Sequence, residues 1–382
     1  MALHIGGSKM TFSLAGLTRH AAATLRFAKH GLMASVVMVA IAQPANAAEE
    51  IDLTIASSHP LALPWIRLMK EYFQPEVNKR LAEQGGEYTI NWLEAYGGTL
   101  YKPNASLTSI GDGIADIGWV FSTLEGSRLP LAQVGNYTPG ATGDPLIVMD
   151  AINEMNDSIP ALKKEWERNN VVFLSSTAMD TLHLFTNFPV TSLEDLKGRK
   201  IGGAGSIGSV VAGAGAIPIN TPAPAMYNNI STGLMDGAVT ITSVVLGTKI
   251  YEITPYLVKV DLGTFSAGAL AFNKDRWEEL PKSVQDVIKE VSRDYSRTFG
   301  KNINASIDKW FSIIQKNNPD SQVIQFPEEA RRDWILNMPN VALEWANVAA
   351  EKNLPAANIL KTYMNELRER GVTPTRDWDE DL

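Results

Sequence analysis

A chain of 382 residues, 45% of them hydrophobic, can bury a large core and exceeds the length of one average domain, so two domains are expected. The absence of cysteine excludes disulfides, thiol catalysis, iron–sulfur clusters and cysteine-ligated zinc. A formal net charge of −8 argues against nucleic acid or an anionic membrane as partner.

Residues 1–47 carry Lys9, Arg19, Arg26 and Lys29, no acidic residue, an apolar run over 31–42 and then Ala45-Asn46-Ala47. That order predicts a secretory signal peptide cleaved near Ala47-Ala48, with Met10 as an alternative start. The apolar run is shorter than the roughly 20 residues that span a bilayer, so a permanent anchor is the weaker reading. Removing the segment leaves 30 Lys and Arg against 42 Asp and Glu. An exported chain without disulfides must be held by its core alone, which suits a large bacterial periplasmic protein.

Beyond the signal, 51–56 alternates apolar with polar or small residues and predicts a first strand ending at Ser57-Ser58-His59-Pro60. Trp65, Leu68, Met69, Tyr72, Val77 and Leu81 follow helical spacing despite Pro75, and 88–93 reads as a second strand. Strand, helix, strand favours an α/β sheet. The pattern Ile110-x-x-Gly113-x-x-Asp116 then recurs 120 residues later as Ile230-x-x-Gly233-x-x-Asp236. In each copy a glycine can close a helix in the left-handed conformation and the aspartate opens a strand, which predicts two similar α/β lobes. Between and after the copies, 174–187 and 263–273 are strand-like and suit crossings between the lobes. Residues 283–317 read as one long amphipathic helix, and 328–370 as helix broken near Pro339 and Pro355. The segment 376–382 reads as a solvated tail.

Catalytic motifs are few. Ala204-Gly205-Ser206-Ile207-Gly208 approaches a nucleophile elbow, but no histidine follows His183, as the hydrolase order needs. Gly203-x-Gly205-x-x-Gly208 has dinucleotide-loop spacing, yet no Asp or Glu lies between Lys197 and Met235 to hold a ribose. These glycines suit close backbone approach to a ligand and N–H groups at a helix start. Only His59 and His183 remain after the signal, which disfavours a histidine metal site. Asp116 and Asp236, each beside a turn glycine, are read as backbone caps in preference to an acid–base pair. No catalytic residue, cofactor or metal is expected.

Four segments, in order, carry a resemblance: Ile110-x-x-Gly113-x-x-Asp116; Leu193-x-Asp195-Leu196-Lys197-Gly198-Arg199-Lys200-Ile201; Tyr227-x-x-Ile230-x-x-Gly233-x-x-Asp236-Gly237; and Asn273-Lys274-x-x-Trp277-x-x-Leu280-Pro281. Beyond residue 47 the chain resembles, over nearly its whole length, the dicarboxylate-type (DctP family) solute receptors of tripartite ATP-independent periplasmic (TRAP) transporters. The resemblance implies an α/β, two-lobed periplasmic binding protein, a type II-like clamp with crossover hinge strands and a long bracing helix. It also implies a ligand in the interlobe cleft and integral membrane TRAP permease subunits as partners. The expected layout is signal peptide over 1–47, first lobe over 48–180, second lobe over 181–264, return to the first lobe over 265–310, and C-terminal helices over 311–382 packing on the second lobe and across the hinge.

The family commonly grips a ligand carboxylate with an arginine directly after Lys-Ile of the Leu-Lys-Gly segment, where this chain has Gly202. A family arginine on the preceding crossover strand corresponds to His183, an asparagine after Asp-Gly to Thr240, and an aromatic before the Tyr-containing helix to Ala223. These departures predict a bulkier, less anionic ligand, an aromatic or zwitterionic carboxylic acid held by stacking and neutral hydrogen bonds. Ligands of α/β sheets meet the carboxyl ends of strands. The candidate ligand residues are therefore His59, Trp65, Tyr101, Trp119, Phe121, His183, Gly203, Ser206, Thr240 and Ser243, with Arg67, Arg128 or His183 as substitutes for the missing arginine. The competing readings are the binding protein of an ATP-driven importer, an exported enzyme on the same scaffold, and a sensor that touches a receptor kinase.

Overall fold

The computed structural model describes residues 48–382, which belong to one compact unit. The expected signal peptide and the alternative start lie outside the described residues. In chain order the strands are β1 (Glu49–Ala56), β2 (Tyr88–Ala95), β3 (Ile117–Val120), β4 (Val171–Ala178), β5 (Leu182–Thr186), β6 (Lys200–Gly203), β7 (Ile217–Asn220), β8 (Gly237–Ile241), β9 (Tyr256–Lys259), β10 (Ser266–Asn273) and β11 (Gln322–Gln325). They form two sheets, ordered β2-β1-β3-β10-β4 and β11-β9-β5-β8-β6-β7. The outer part of β1 alternates, with Ile51, Leu53 and Ile55 buried and Asp52 exposed. The central strands β3, β5, β8 and β10 are buried along their full length, as strands covered on both faces must be.

The repeated motif builds the same device twice. Gly113 and Gly233 take φ of 73° and 74°, and their N–H groups donate to Ile110 and Ile230 carbonyls. Asp116 then pairs with β1: its backbone N–H donates to the Thr54 carbonyl at 3.0 Å, and its carboxylate accepts the Thr54 N–H at 2.7 Å. Asp236 repeats both bonds with Lys200 of β6, at 2.7 and 2.8 Å. Each aspartate thereby fixes the register of one parallel strand on its neighbour.

The helix that follows β1 runs through α1 (Pro64–Leu68), a π-helical turn at Met69–Phe73 and α2 (Gln74–Glu83). Pro75 has no N–H to give to the preceding turn, and the widened turn absorbs the loss. Further on come α3 (Ser106–Gly111), α4 (Pro145–Ser158), α5 (Pro160–Glu167), α6 (Ser206–Ser209), α7 (Ala223–Ser231), α8 (Thr242–Thr248) and α9 (Lys274–Glu279). The strand expected over 174–187 divides: β4 ends the first sheet, β5 opens the second, and 179–181 cross between them. The return crossing, between β9 and β10, is tied to it. Met179 and Leu182 N–H groups donate to Phe265 and Gly263 carbonyls, and Leu262 N–H donates back to Leu182.

The long helix expected over 283–317 is two helices, α10 (Lys282–Asn304) and α11 (Ile307–Asn317). α10 packs on the first lobe, where Ser292 and Ser296 hydroxyls donate to Leu174 and Ser176 carbonyls of β4. α11 packs on the second, with Phe311 stacked on Phe185 of β5 at 6.3 Å. The brace is therefore a pair, one helix per lobe. α12 (Glu328–Leu336), α13 (Val341–Ala350) and α14 (Ala356–Glu369) break at the expected prolines. They divide between the lobes: Trp334 of α12 donates to the Val210 carbonyl in the second, whereas Trp345 of α13 donates to Pro130 in the first.

The segment 376–382 is not a solvated tail. Trp378 is 0% exposed and its indole N–H donates to the Pro139 carbonyl at 3.0 Å. Arg376 lies over the Trp378 ring at 4.3 Å and donates to Met338, while Arg368 pairs with Asp377 and Asp379. Its run of acids suggested solvent, but Asp377 and Asp379 are partners of Arg368, Asp381 accepts from Asn340, and the tryptophan is core.

Candidate functional site

Strand register alone locates the cleft. β1 and β3 are parallel, and β10 runs antiparallel to both β3 and β4, so β1, β3 and β4 end at one edge of the first sheet. β6 and β8 are parallel, and β5 begins opposite the last residue of β8, with Leu182 paired to Ile241. Only residues 179–181 separate the end of β4 from the start of β5. The carboxyl edges of both sheets therefore face the crossing, and the loops after β1, β3, β6 and β8 converge there, the position at which open α/β sheets hold ligands.

Four of the ten candidates meet at the first sheet's edge. His59, after β1, lies edge-on to Trp119 at 5.0 Å and to Phe121 at 5.5 Å between ring centroids. Trp119 stacks on Phe121 at 5.3 Å, and Trp65 lies against Trp119 at 5.7 Å. Phe299 of α10 adds a fifth ring, 6.2 Å from Trp65, and the Tyr295 hydroxyl donates to the Trp65 carbonyl at 2.8 Å. Phe299 is a member that the helical spacing of 283–317 gave no reason to single out. The wall is built by close approach: the Trp119 indole packs over Gly268 of β10, where a Cβ would come within 2.6 Å of the ring and closer still to the Val120 carbonyl.

The polar atoms of this wall are unevenly satisfied. Trp119 donates its indole N–H to the Thr177 hydroxyl at 2.8 Å. Trp65, 8% exposed, has an indole N–H with no acceptor. His59 shares a hydrogen bond between Nδ1 and the Ser58 hydroxyl at 2.9 Å, and its backbone N–H donates to Ser57. Burial pushes the His59 imidazole below its ordinary range, so it is neutral at pH 7.

On the crossing, the fully buried Asp180 accepts the Thr242 N–H at 2.7 Å and the Ser243 hydroxyl at 3.1 Å. Its pKa is pushed up to about 6 by burial, against these bonds. Ser243 is thus engaged by Asp180, a residue the sequence gave no reason to single out. The Thr242 hydroxyl, fully buried at the start of α8, has no partner among the described residues.

Tyr101, His183 and Gly203 are engaged within the fold. Tyr101 is buried beneath β1 and donates its hydroxyl to the Ala56 carbonyl at 2.9 Å. His183 and Thr240 face each other across β5 and β8, both buried. His183 accepts the Asp261 N–H through Nδ1 at 3.2 Å and is held neutral by burial, so it is no substitute cation. Gly203 approaches Gly208 so closely that a Cβ would lie 2.7 Å from its Cα; these glycines fold the turn upon itself. Ser206 opens α6, and its side chain lies outside the described set.

Arg128 bonds to Thr108 on the exposed surface of the first lobe, and Arg67 is exposed on α1. At Gly202 a Cβ would run into the Met235 thioether, so methionine fills the space beside the position of the family arginine. Among the described residues no group of three or more His, Asp or Glu is placed to hold a metal ion.

The DctP family model, bacterial extracellular solute-binding proteins of family 7, matches residues 70–347. A solute-binding protein of Albidiferax ferrireducens is 25% identical over 207 residues; the match covers 53% of this chain and 60% of that protein's length. Among solved structures, a TRAP periplasmic solute-binding protein from Desulfovibrio salexigens superposes with a TM-score of 0.72 at 21% identity, over 84% of this chain and 96% of that one. A TRAP solute-binding protein from Rhodoferax ferrireducens, in complex with copurified benzoate, gives 0.71 at 20% identity over 84% and 98%. A marine metagenome TRAP solute-binding protein specific for aromatic acid ligands, with 3-hydroxybenzoate, gives 0.70 at 20% identity over 84% and 99%. At these identities the likeness is one of fold.

Proposed function

The chain belongs to the DctP family of bacterial extracellular solute-binding proteins, and from that premise we propose that it captures a small aromatic carboxylate between its two sheets and delivers it to integral membrane subunits of the TRAP type. The observation that carries the ligand class is the ring wall of His59, Trp65, Trp119 and Phe121 at the carboxyl edge of the first sheet. Rings of this kind favour a flat apolar ligand through offset and edge contacts. The absence of a side chain at Gly202 and the neutrality of His59 and His183 favour a single carboxylate over two. The benzoate and 3-hydroxybenzoate complexes of two proteins of like fold support the same class.

In this reading residues 1–47 are removed on export, near Ala47-Ala48, and the chain works in the periplasm. Its polar groups at the cleft are structural or neutral, which supports capture without chemical turnover.

Thermal unfolding of residues 48–382 against benzoates, hydroxybenzoates, mandelates, dicarboxylates, amino acids and sugars tests the proposal. An acid at about 100 times its dissociation constant stabilises by roughly 2.7 kcal/mol. The expected result is a selective upward shift with aromatic acids, the recovered ligand unchanged after incubation. A shift from succinate or malate alone overturns the ligand class, and conversion of the bound compound overturns the receptor reading.

A further inference from the structure

Two tryptophans stand side by side in the ring wall, and only one has its N–H bonded. Trp119 is tied to Thr177 at 2.8 Å, whereas the Trp65 indole N–H is buried without any acceptor. A buried donor left unmade is costly, and native proteins leave few. Trp65 is also held in place: its carbonyl accepts the Tyr295 hydroxyl at 2.8 Å, and its ring is flanked by Trp119 and Phe299. The ring that carries the donor is therefore held in place among the rings of the wall.

We propose that Trp65 is the anion-recognising residue of this cleft, its indole N–H donating to a carboxylate oxygen of the ligand while Trp119, Phe121 and His59 enclose the ring. An indole N–H is a donor only, so it selects an acceptor atom. A carboxylate oxygen makes the stronger, charge-assisted bond. Unlike an arginine, it offers one donor and no charge, which suits a monocarboxylate and leaves a second carboxylate without a partner. This assignment rests on reading the cleft as a site for aromatic acids.

The test is isothermal titration of benzoate and 3-hydroxybenzoate into the 48–382 protein and its Trp65→Phe variant, with unfolding curves of both unliganded proteins. Trp65→Phe keeps an aromatic ring and deletes the donor. The expected result is binding weakened by roughly 10- to 100-fold, the size of a lost hydrogen bond to a charged group. The unliganded midpoint should not fall beyond the small loss of ring size, because no bond is broken. Trp119→Phe, which severs the bond to Thr177, should lower it. In the wild-type protein labelled with 15N-tryptophan, one indole N–H resonance should move downfield on adding benzoate, a reading that does not depend on any variant folding.

Equal affinities in wild type and Trp65→Phe, or no indole resonance that moves, overturn the inference and leave the aromatic ligand class standing. Failure of wild type to bind either acid overturns the ligand class and the inference together. A midpoint lowered in Trp65→Phe as far as in Trp119→Phe also overturns the inference, since the N–H would then have an internal partner.

Discussion

The imidazole of His183 accepts the Asp261 N–H through Nδ1 and lies edge-on to Phe311 at 5.3 Å, with Lys259 over the same phenyl ring and paired to Asp308. Burial pushes its pKa well below the usual imidazole range, opposed by the Asp261 carboxylate and reinforced by Lys259. The sign follows from proton counting. Below about pH 6.5 the unfolded chain binds a proton on this histidine that the folded chain refuses, so stability falls as the pH drops. His183→Gln offers an amide oxygen to the same N–H and cannot titrate. Its unfolding midpoint should approach that of wild type as the pH is lowered from 7 to 5. Asp180, common to both proteins, cancels in that difference. A gap that stays constant with pH would show that the histidine is not held neutral. The residue pattern gave His183 its place on an apolar strand; its neutrality comes from burial, to which Phe311, distant in sequence, contributes.

Among the elements, the return crossing leaves little room for change. Gly263 takes φ of 90°, and a Cβ there would stand 2.6 Å from the Gly140 nitrogen. Strain and a backbone clash act together, so Gly263→Ala should cost more than the roughly 1 kcal/mol of an ordinary glycine replacement, read from the denaturant midpoint. A change within about 0.5 kcal/mol would mean that the crossing is pliant. The turn glycines and aspartates of the two repeats were legible because their chemistry is local: a left-handed glycine and a carboxylate that meets the next strand. The break between α10 and α11 was not. Ala305-Ser306 contains neither Gly nor Pro; at the break Asn304 donates to the distant Asp144, and the Ser306 hydroxyl donates back to the Asn302 carbonyl. In the cleft, the loop after β1 was legible from the end of its alternating run, and the one after β3 from the strand that Asp116 opens. Asp180 and Phe299 reach the site through topology and left no local mark.

For the molecule as a whole, the C-terminal segment is a structural member. Trp378 bonds to Pro139, and the adjoining Gly140 N–H donates to Leu262 in the return crossing at 2.8 Å. Trp378→Ala should lower stability by about 3–5 kcal/mol, the cost of emptying a large buried aromatic site. Deleting 376–382 should cost at least as much, since Arg376 and the partners of Arg368 leave with it. An unchanged unfolding midpoint in either variant would return the segment to the solvent. The order of the first sheet has a consequence for how the chain acquires its shape. Its penultimate strand, β10, sits between β3 and β4 yet follows almost all of the second sheet in sequence. Until β10 arrives, β3 and β4 keep open edges, and the pairing that closes them spans long loops, which makes folding slow. A polypeptide that completes its first-made sheet so late stays threadable for most of its emergence, the condition a chain needs to pass lengthwise through a narrow membrane pore.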